Sequence, residues 1–316
     1  MKTKLQSIIF LLFLFTFSIF IIIFSDNVLK SVTFSISIWK DNLFPALFPF
    51  FVLSDLLIHY GFIEFISYFF QGIMRKIFYL PKEASFVLIA SMFSGFPSSS
   101  KYIKDLLDNK KIDEDMASYL LTFTHFSNPL FIIGTIGILL LNNKNLGYLI
   151  LFCHFISNFI IAFLFRKKRT LKNDSIKFKD VLLNITKKYQ ESSSFIFVLT
   201  NSLFKSFKTL VLLLGIITSF LIFTTILSNL FPFSSFVNAL VGGVFEMTQG
   251  IKFISLENIP SILKCAIITS LLSFGGISIH FQVFSILENK KIKYKYYLFA
   301  RLLHALFGFL LVFLFY

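Results

Sequence analysis

Charge is scarce in this chain. Asp, Glu, Lys and Arg make up 15% of its 316 residues, hydrophobic residues make up 56%, and the mean hydropathy is +0.80. No soluble domain needs that much apolar surface, so the composition describes an all-α, polytopic membrane protein. Cysteine is almost absent. Cys153 and Cys265 lie in separate apolar runs without CxxC spacing, which leaves packing as their role. HExxH, GxSxG, Walker and GxGxxG patterns are all missing, so neither an enzyme nor a metal site is expected. Asp113, Glu114 and Asp115 read as a solvated cluster that begins a helix. Acidic residues number 16 against 30 basic ones. In a soluble protein that excess would point to nucleic acid. Here Lys and Arg sit in loops and flanks, where membrane orientation puts them, so the expected partner is the bilayer and not nucleic acid. The 47 phenylalanines stand beside many Ile, Lys and Asn, a bias of an AT-rich genome that carries no functional weight.

The apolar runs predict about seven spanning helices: Leu5–Phe24, Leu43–Tyr60, Tyr119–Leu141, Tyr148–Phe165, Leu203–Leu230, Ile262–Leu287 and Tyr297–Tyr316. The first follows Lys2 and Lys4. It is too long for a signal peptide and lacks a small-x-small cleavage pattern, so it is expected to be retained. Residues 28–40 read as an amphipathic lead-in, 62–80 as an interfacial helix, and 101–116 as a hydrophilic inner loop. Two further segments break in mid-run. Residues 84–100 meet Gly95, Pro97, Ser98, Ser99 and Ser100, and residues 233–254 meet the stretch from Val241 to Gly250.

Placing Lys2, Lys4, residues 166–190 and residues 290–295 inside fixes the direction of every span. Both broken segments must then enter and leave on one face, from opposite sides of the membrane. The two halves read as an inverted repeat around two re-entrant hairpins, with a site near the midplane.

Broken backbone is tolerated at membrane depth only where protein buries it or a polar cavity receives it, which makes the breaks candidate binding residues. The first group is Ser94, Gly95, Pro97, Ser98, Ser99, Ser100 and Lys101. Helix N-termini there suit carboxylate or phosphate groups, and Lys101 reads either as a further charge for such a ligand or as a snorkelling flank lysine. Ser127, Asn128 and Pro129 form the second group. Glu246, with Thr248 and Gln249, forms the third; a carboxylate inside an apolar run is a candidate ligand or proton-coupling group. Ser273, Gly275, Gly276, Ser278, His280 and Gln282 form the fourth. His125 is left undecided, whereas His59, His154 and His304 read as satisfied packing residues. No cofactor is expected, and a coupling proton or Na+ is left open.

Four stretches carry a family resemblance: Ser94-Gly-Phe-Pro-Ser-Ser-Ser-Lys101, Ser127-Asn-Pro-Leu-Phe131, Glu246-Met-Thr-Gln-Gly250 and Ser273-Phe-Gly-Gly-Ile-Ser-Ile-His-Phe-Gln282. Together they resemble the YlbJ (SpoVV) family of sporulation integral membrane proteins, which carry the nucleoside recognition Gate domain. Ser99 stands where that family has a second glycine. The resemblance implies an N-terminal helix and lead-in (1–40), a first Gate-like repeat (41–165), a basic cytoplasmic linker (166–195) and a second, inverted repeat (196–316). It also implies a transporter in a bacterial membrane, the outer forespore membrane in a sporulating organism, with dipicolinic acid as the small organic anion carried. A nucleoside or other small-solute permease, or a non-transporting spore-envelope protein, stands as the alternative.

Overall fold

The structure is a computed structural model that describes residues 2–170, 177–231, 233–288 and 290–316. The side chains of Lys2 and Lys4, used above to orient the chain, and residues 171–176 of the basic linker lie outside the described residues. The helices are α1 (Lys2–Ile23), α2 (Ser25–Ile38), α3 (Phe44–His59), α4 (Phe62–Lys76), α5 (Ala84–Ser94), α6 (Ser98–Asp108) and α7 (Glu114–Phe123). They continue as α8 (Lys144–Leu164), α9 (Phe178–Gln190), α10 (Phe195–Leu230), α11 (Ser235–Phe245) and α12 (Met247–Leu256), and end with α13 (Ser261–Phe274), α14 (Gly276–Ile286) and α15 (Tyr294–Phe315). Two stretches wind as π-helix, Trp39–Leu43 and Phe131–Leu140. No strand occurs among the described residues.

Among the described residues, five helical segments are long and apolar enough to cross a membrane, or six if α3 and α4 count as one bent span. The difference from seven comes from interruption. Tyr119–Leu141 is divided between α7 and the π-helix, and Leu43–Tyr60 is cut to the 16 residues of α3 by the π-helix before it. Residues 28–40 are not a separate lead-in, because backbone bonds run from the Trp39 N–H to the Ser35 carbonyl and from the Phe44 N–H to the Trp39 carbonyl. The rod from α2 to α3 lies antiparallel to α10 along a polar seam. Asn27 bonds Asn229 at 2.8 Å, Ser35 bonds Thr218 at 2.7 Å, and the Trp39 indole donates to the Leu210 carbonyl at 2.7 Å. Lipid supplies no hydrophobic drive between helices, so such side-chain bonds and close packing hold them together.

α4 leaves α3 at 86°, which fits the interfacial helix expected of this segment. The basic linker is not featureless: its helix α9 docks on α4 through Lys188 and Glu64 (2.9 Å) and through Ile185, which packs over Gly61.

α5 and α6 form an antiparallel hairpin. Phe86 and Tyr102 meet across it at 5.1 Å, and Lys82 at its start lines the same cavity as Asn109 at its end. The return arm is therefore 98–108, most of which the sequence assigns to an inner loop. Amphipathicity explains the difference, since Ser98, Ser99, Tyr102, Ile103 and Leu106 turn inward while Lys101 and Asp105 face an open cavity. α11 and α12 form the second hairpin, closed at its open end by a bond from Ser235 to Glu257. The Lys264 ammonium beside it donates to the Ser255 carbonyl, so this hairpin opens at the start of α13. The first opens where Lys290, beyond the end of α14, pairs with Asp108. The two hairpins thus enter the bundle from opposite ends of the α13–α14 span.

At the Lys290 end, Asp115 gathers Arg169 (2.9 Å) and Lys293 (3.2 Å), and the Arg169 bond holds its carboxyl below the usual carboxylate range. At the second hairpin the arms touch backbone to backbone. A methyl group on Gly250 would lie 2.2 Å from the Gly243 Cα. Gly250→Ala is expected to splay this hairpin and to cost more than the ~1–3 kcal/mol of ordinary overpacking. Gly72→Ala, with nothing within 4 Å of the added carbon, is expected to leave stability intact. Thermal melting of the two variants in one detergent checks this, and equal melting temperatures would contradict it.

Candidate functional site

The four breaks meet in the centre of the bundle. Gly95 at the first hairpin tip has φ +74°, and a Cβ on it would lie 2.5 Å from the Asn128 nitrogen, in the break between α7 and the π-helix. Gly276, with φ +69°, presses in the same way on the Met247 nitrogen and Phe245 carbonyl at the second tip. Gly275 joins the halves, because a Cβ there would lie 2.7 Å from His125 Nε2. Glycine alone permits both the positive φ and the approach.

The loosened backbone is repaired across these contacts. The Phe96 N–H donates to the Phe126 carbonyl at 2.6 Å. Asn128 donates to the Phe93 carbonyl at 2.9 Å and accepts from the Leu130 N–H at 2.8 Å, tying the hairpin tip to the start of the π-helix. The Ser127 N–H donates to His154 Nε2 at 3.0 Å, and His154 Nδ1 lies 2.9 Å from the Ser273 hydroxyl. Pro129 follows Asn128 without an N–H to satisfy.

Other expected residues have different attachments. Ser94 bonds back to the Ala90 carbonyl, Ser100 bonds to the Pro97 carbonyl, and Ser99 is buried. Glu246 is the N-cap of α12. One carboxylate oxygen accepts from the Gln249 N–H at 2.9 Å and the other from the Thr248 hydroxyl at 3.0 Å. Gln249 reaches away to Thr224 of α10, and His280 to Tyr294 and the Phe274 carbonyl. Lys101 leaves the breaks for Asp55, at 3.1 Å, on the wall of a cavity of about 780 Å³.

Among the described residues, the buried side-chain atoms without a partner on or beside these breaks include Ser98 Oγ, His125 Nε2, Ser278 Oγ and Gln282 Nε2, and Arg301 Nε near the open end of α7. Ser98 opens α6, and Ser278 lies in the first turn of α14. Neither helix has a side-chain cap, whereas α12 is capped by Glu246. Unpartnered side chains therefore coincide with two helix N-termini that no side chain caps, although at α6 the Ser98 and Ser100 N–H groups already donate to the Gly95 and Pro97 carbonyls. The positive ends of the two helices suit oxygen atoms carrying negative charge. Phe96, stacked on His125 at 4.5 Å, and Phe274 stand beside the breaks. Among the described residues no cluster of His, Cys, Asp or Glu is arranged to hold a metal ion.

The sequence gives no role to Arg301, yet it is fully buried in α15. Its guanidinium donates to the Thr122 carbonyl at the open C-terminal end of α7 and bonds His304 at 2.7 Å. An arginine inside an apolar run is itself the signal that would have found it. The grouping of Asp55 and Lys205 on the cavity wall, with Ser202 donating to Asp55 from behind it, also emerges only from the fold. Arg301→Gln is expected to destabilise the protein by about 3 kcal/mol or more, since it leaves buried carbonyl and imidazole groups unpaired. Urea or thermal unfolding checks this, and a wild-type midpoint would contradict the bracing role.

The nucleoside recognition Gate domain matches residues 42–220, more than half of the chain. The match ends before the second hairpin. The sporulation integral membrane protein YlbJ of Bacillus subtilis (strain 168) is 30% identical over 302 residues, which cover 86% of this chain and 74% of that protein. No solved structure matches the chain. These two agreements, one over the first hairpin and α10 and one over nearly the whole length, make the chain a member of the YlbJ family of Gate-domain integral membrane proteins.

Proposed function

We propose that this protein is a secondary transporter that carries a small organic anion, dipicolinic acid, between the two hairpins by alternating access. In a sporulating bacterium its place is the outer forespore membrane. The observation that carries the reading is the coincidence of two uncapped helix N-termini with Ser98, His125, Ser278 and Gln282, whose buried polar atoms lack partners. A protein that only braced a spore envelope would gain nothing from leaving such groups unsatisfied, because each costs about 1–3 kcal/mol. A planar dicarboxylate offers oxygen atoms to both N-termini and an aromatic face to Phe96 and Phe274. Hairpins that enter from opposite ends support the inverted-repeat form of alternating access.

A second reading, a nucleoside permease, is favoured by the description of the Gate domain as nucleoside recognition. A base would use the same aromatic faces but has less use for two positive helix ends.

Uptake of labelled dipicolinate into vesicles containing the purified protein, with nucleosides as competitors, separates the two readings. Saturable uptake that nucleosides leave untouched is expected. Strong competition by nucleosides would transfer the proposal to them, and no saturable uptake of either solute would end the transporter reading. Ser98→Ala is expected to lower uptake about tenfold, the loss of one hydrogen bond to a charged group, without lowering the melting temperature. Glu246→Ala is expected to weaken the α12 cap by about 0.5–2 kcal/mol, so its uptake and its melting temperature should fall together.

A further inference from the structure

The cavity beside Lys101 lies outside the cluster of breaks. Its walls carry five lysines, Lys82, Lys101, Lys111, Lys188 and Lys205, and five carboxylates, Asp55, Glu64, Glu83, Asp105 and Asp180. Fully ionised, these charges cancel, so the cavity holds no net attraction for an anion. The carboxylates are not equally engaged. Asp55 accepts from Lys101 at 3.1 Å and from Ser202 at 2.8 Å, with Lys205 at 3.7 Å. Glu64 is held by Lys188. Asp105 lies one helical turn beyond Lys101 on α6, is partly buried, and has no hydrogen-bond or ion-pair partner for its carboxyl among the described residues.

We propose that this cavity is a proton-linked anion site, in which Asp105 takes a proton from solvent and a carboxylate ligand then docks on Lys101 and Lys205. The inference rests on the reading of the protein as an anion transporter and adds to it an antechamber with its own charge logic. Neutralising Asp105 leaves the cavity with one positive charge in excess, and that excess lies beside Lys101, one turn from Ser98 and the central breaks. A ligand carboxylate can then replace Asp55 as the partner of Lys101. Ligand and proton favour each other by the same factor, whichever binds first.

The groups around Asp105 fit that role. Lys101 and Asp108 share its helix, Asp55 and His59 face the cavity from α3, and Lys205 does so from α10. Lys82 and Glu83 stand before α5 and Lys111 after α6, while Glu64, Asp180 and Lys188 line the α4 and α9 walls. Asp108 is occupied by Lys290. Burial pushes the Asp105 carboxyl up to about 6, with Lys101 opposing the shift and Asp55 adding to it. Asp105 is therefore mostly ionised above about pH 6, and its neutral form falls about tenfold for each further pH unit.

The test is calorimetric titration of the full-length protein in detergent with dipicolinate, phthalate and succinate. The measurements run between pH 6.5 and 7.5, in pairs of buffers with different ionisation enthalpies. Binding is expected to be about tenfold weaker at pH 7.5 than at pH 6.5 and to be accompanied by proton uptake. Asp105→Asn should bind with no proton uptake and no pH dependence. Lys101→Met should lose the proton-linked binding and keep any pH-independent binding at the central breaks, and His59→Gln should keep the wild-type linkage. Asp105→Ser supplies the same readout if the asparagine variant does not fold. Proton uptake that survives in Asp105→Asn, or that vanishes in His59→Gln, overturns the inference and leaves the transporter reading standing. Wild-type binding without proton uptake does the same. Absence of binding by all three dicarboxylates overturns both.

Discussion

A polypeptide surrounded by lipid must satisfy its own backbone, because the hydrocarbon offers no hydrogen bonds. Four interruptions of helix in an apolar bundle therefore have to be closed by protein, and here they are closed largely by one another. The tip at Gly95 is sealed against Asn128, the tip at Glu246 against Gly276, and the two helix breaks against each other through His125 and Gly275. The glycines are placed by this requirement, since Gly95 and Gly276 meet main chain directly and Gly275 meets the His125 ring. His154 and Arg301 extend the same repair outward, the first across both halves to Ser273 and the second to the frayed end of α7.

Within this arrangement the two hairpin tips differ in charge. The second tip carries its own anion, for Glu246 occupies the N-terminus of α12. The first tip carries none, so the starts of α6 and α14 keep the positive ends of their helices free of a capping side chain. Selectivity for a negatively charged solute would then reside in the N-termini of α6 and α14, since Asn128 caps the start of the π-helix. That of α12 is already neutralised by the chain itself. Glu246, the residue most conspicuous in the sequence as a functional carboxylate, is in the fold a group that satisfies a helix end.

Much of this was legible before the fold was known. Gly, Pro and consecutive hydroxyls inside an apolar run announce broken helix at 94–101 and 273–282, and the distribution of Lys and Arg separates hairpins from spans. What escaped was whatever depended on a partner distant in sequence. The polar arm from Lys101 to Asp108 looks like a loop until α3 and α10 are seen to leave an aqueous cavity beside it. The Ser and Thr residues of 28–40 look like a weak amphipathic helix until their partners on α10 appear. Arg301 was visible as an arginine in an apolar helix, but the carbonyl it serves is on α7, and nothing local to α15 names it.

The junction at His125 and Gly275 bears on how the molecule can be made. Each hairpin tip finds its seal within its own half of the chain, so the first half can close Gly95 onto Asn128 as soon as α7 has been synthesised. His125 stacks on Phe96 within the first half, but the hydroxyl that bonds its Nδ1, that of Tyr297, lies in α15. Its partner glycine belongs to the second half and leaves the ribosome only near the end of translation. The first half must therefore wait in the membrane with an unpaired imidazole nitrogen and an opened helix end, and the arrival of α13 to α15, with Tyr297 and Arg301, completes it. Assembly of the central site is in this sense a late event, set by chain order and not by any property of the finished site.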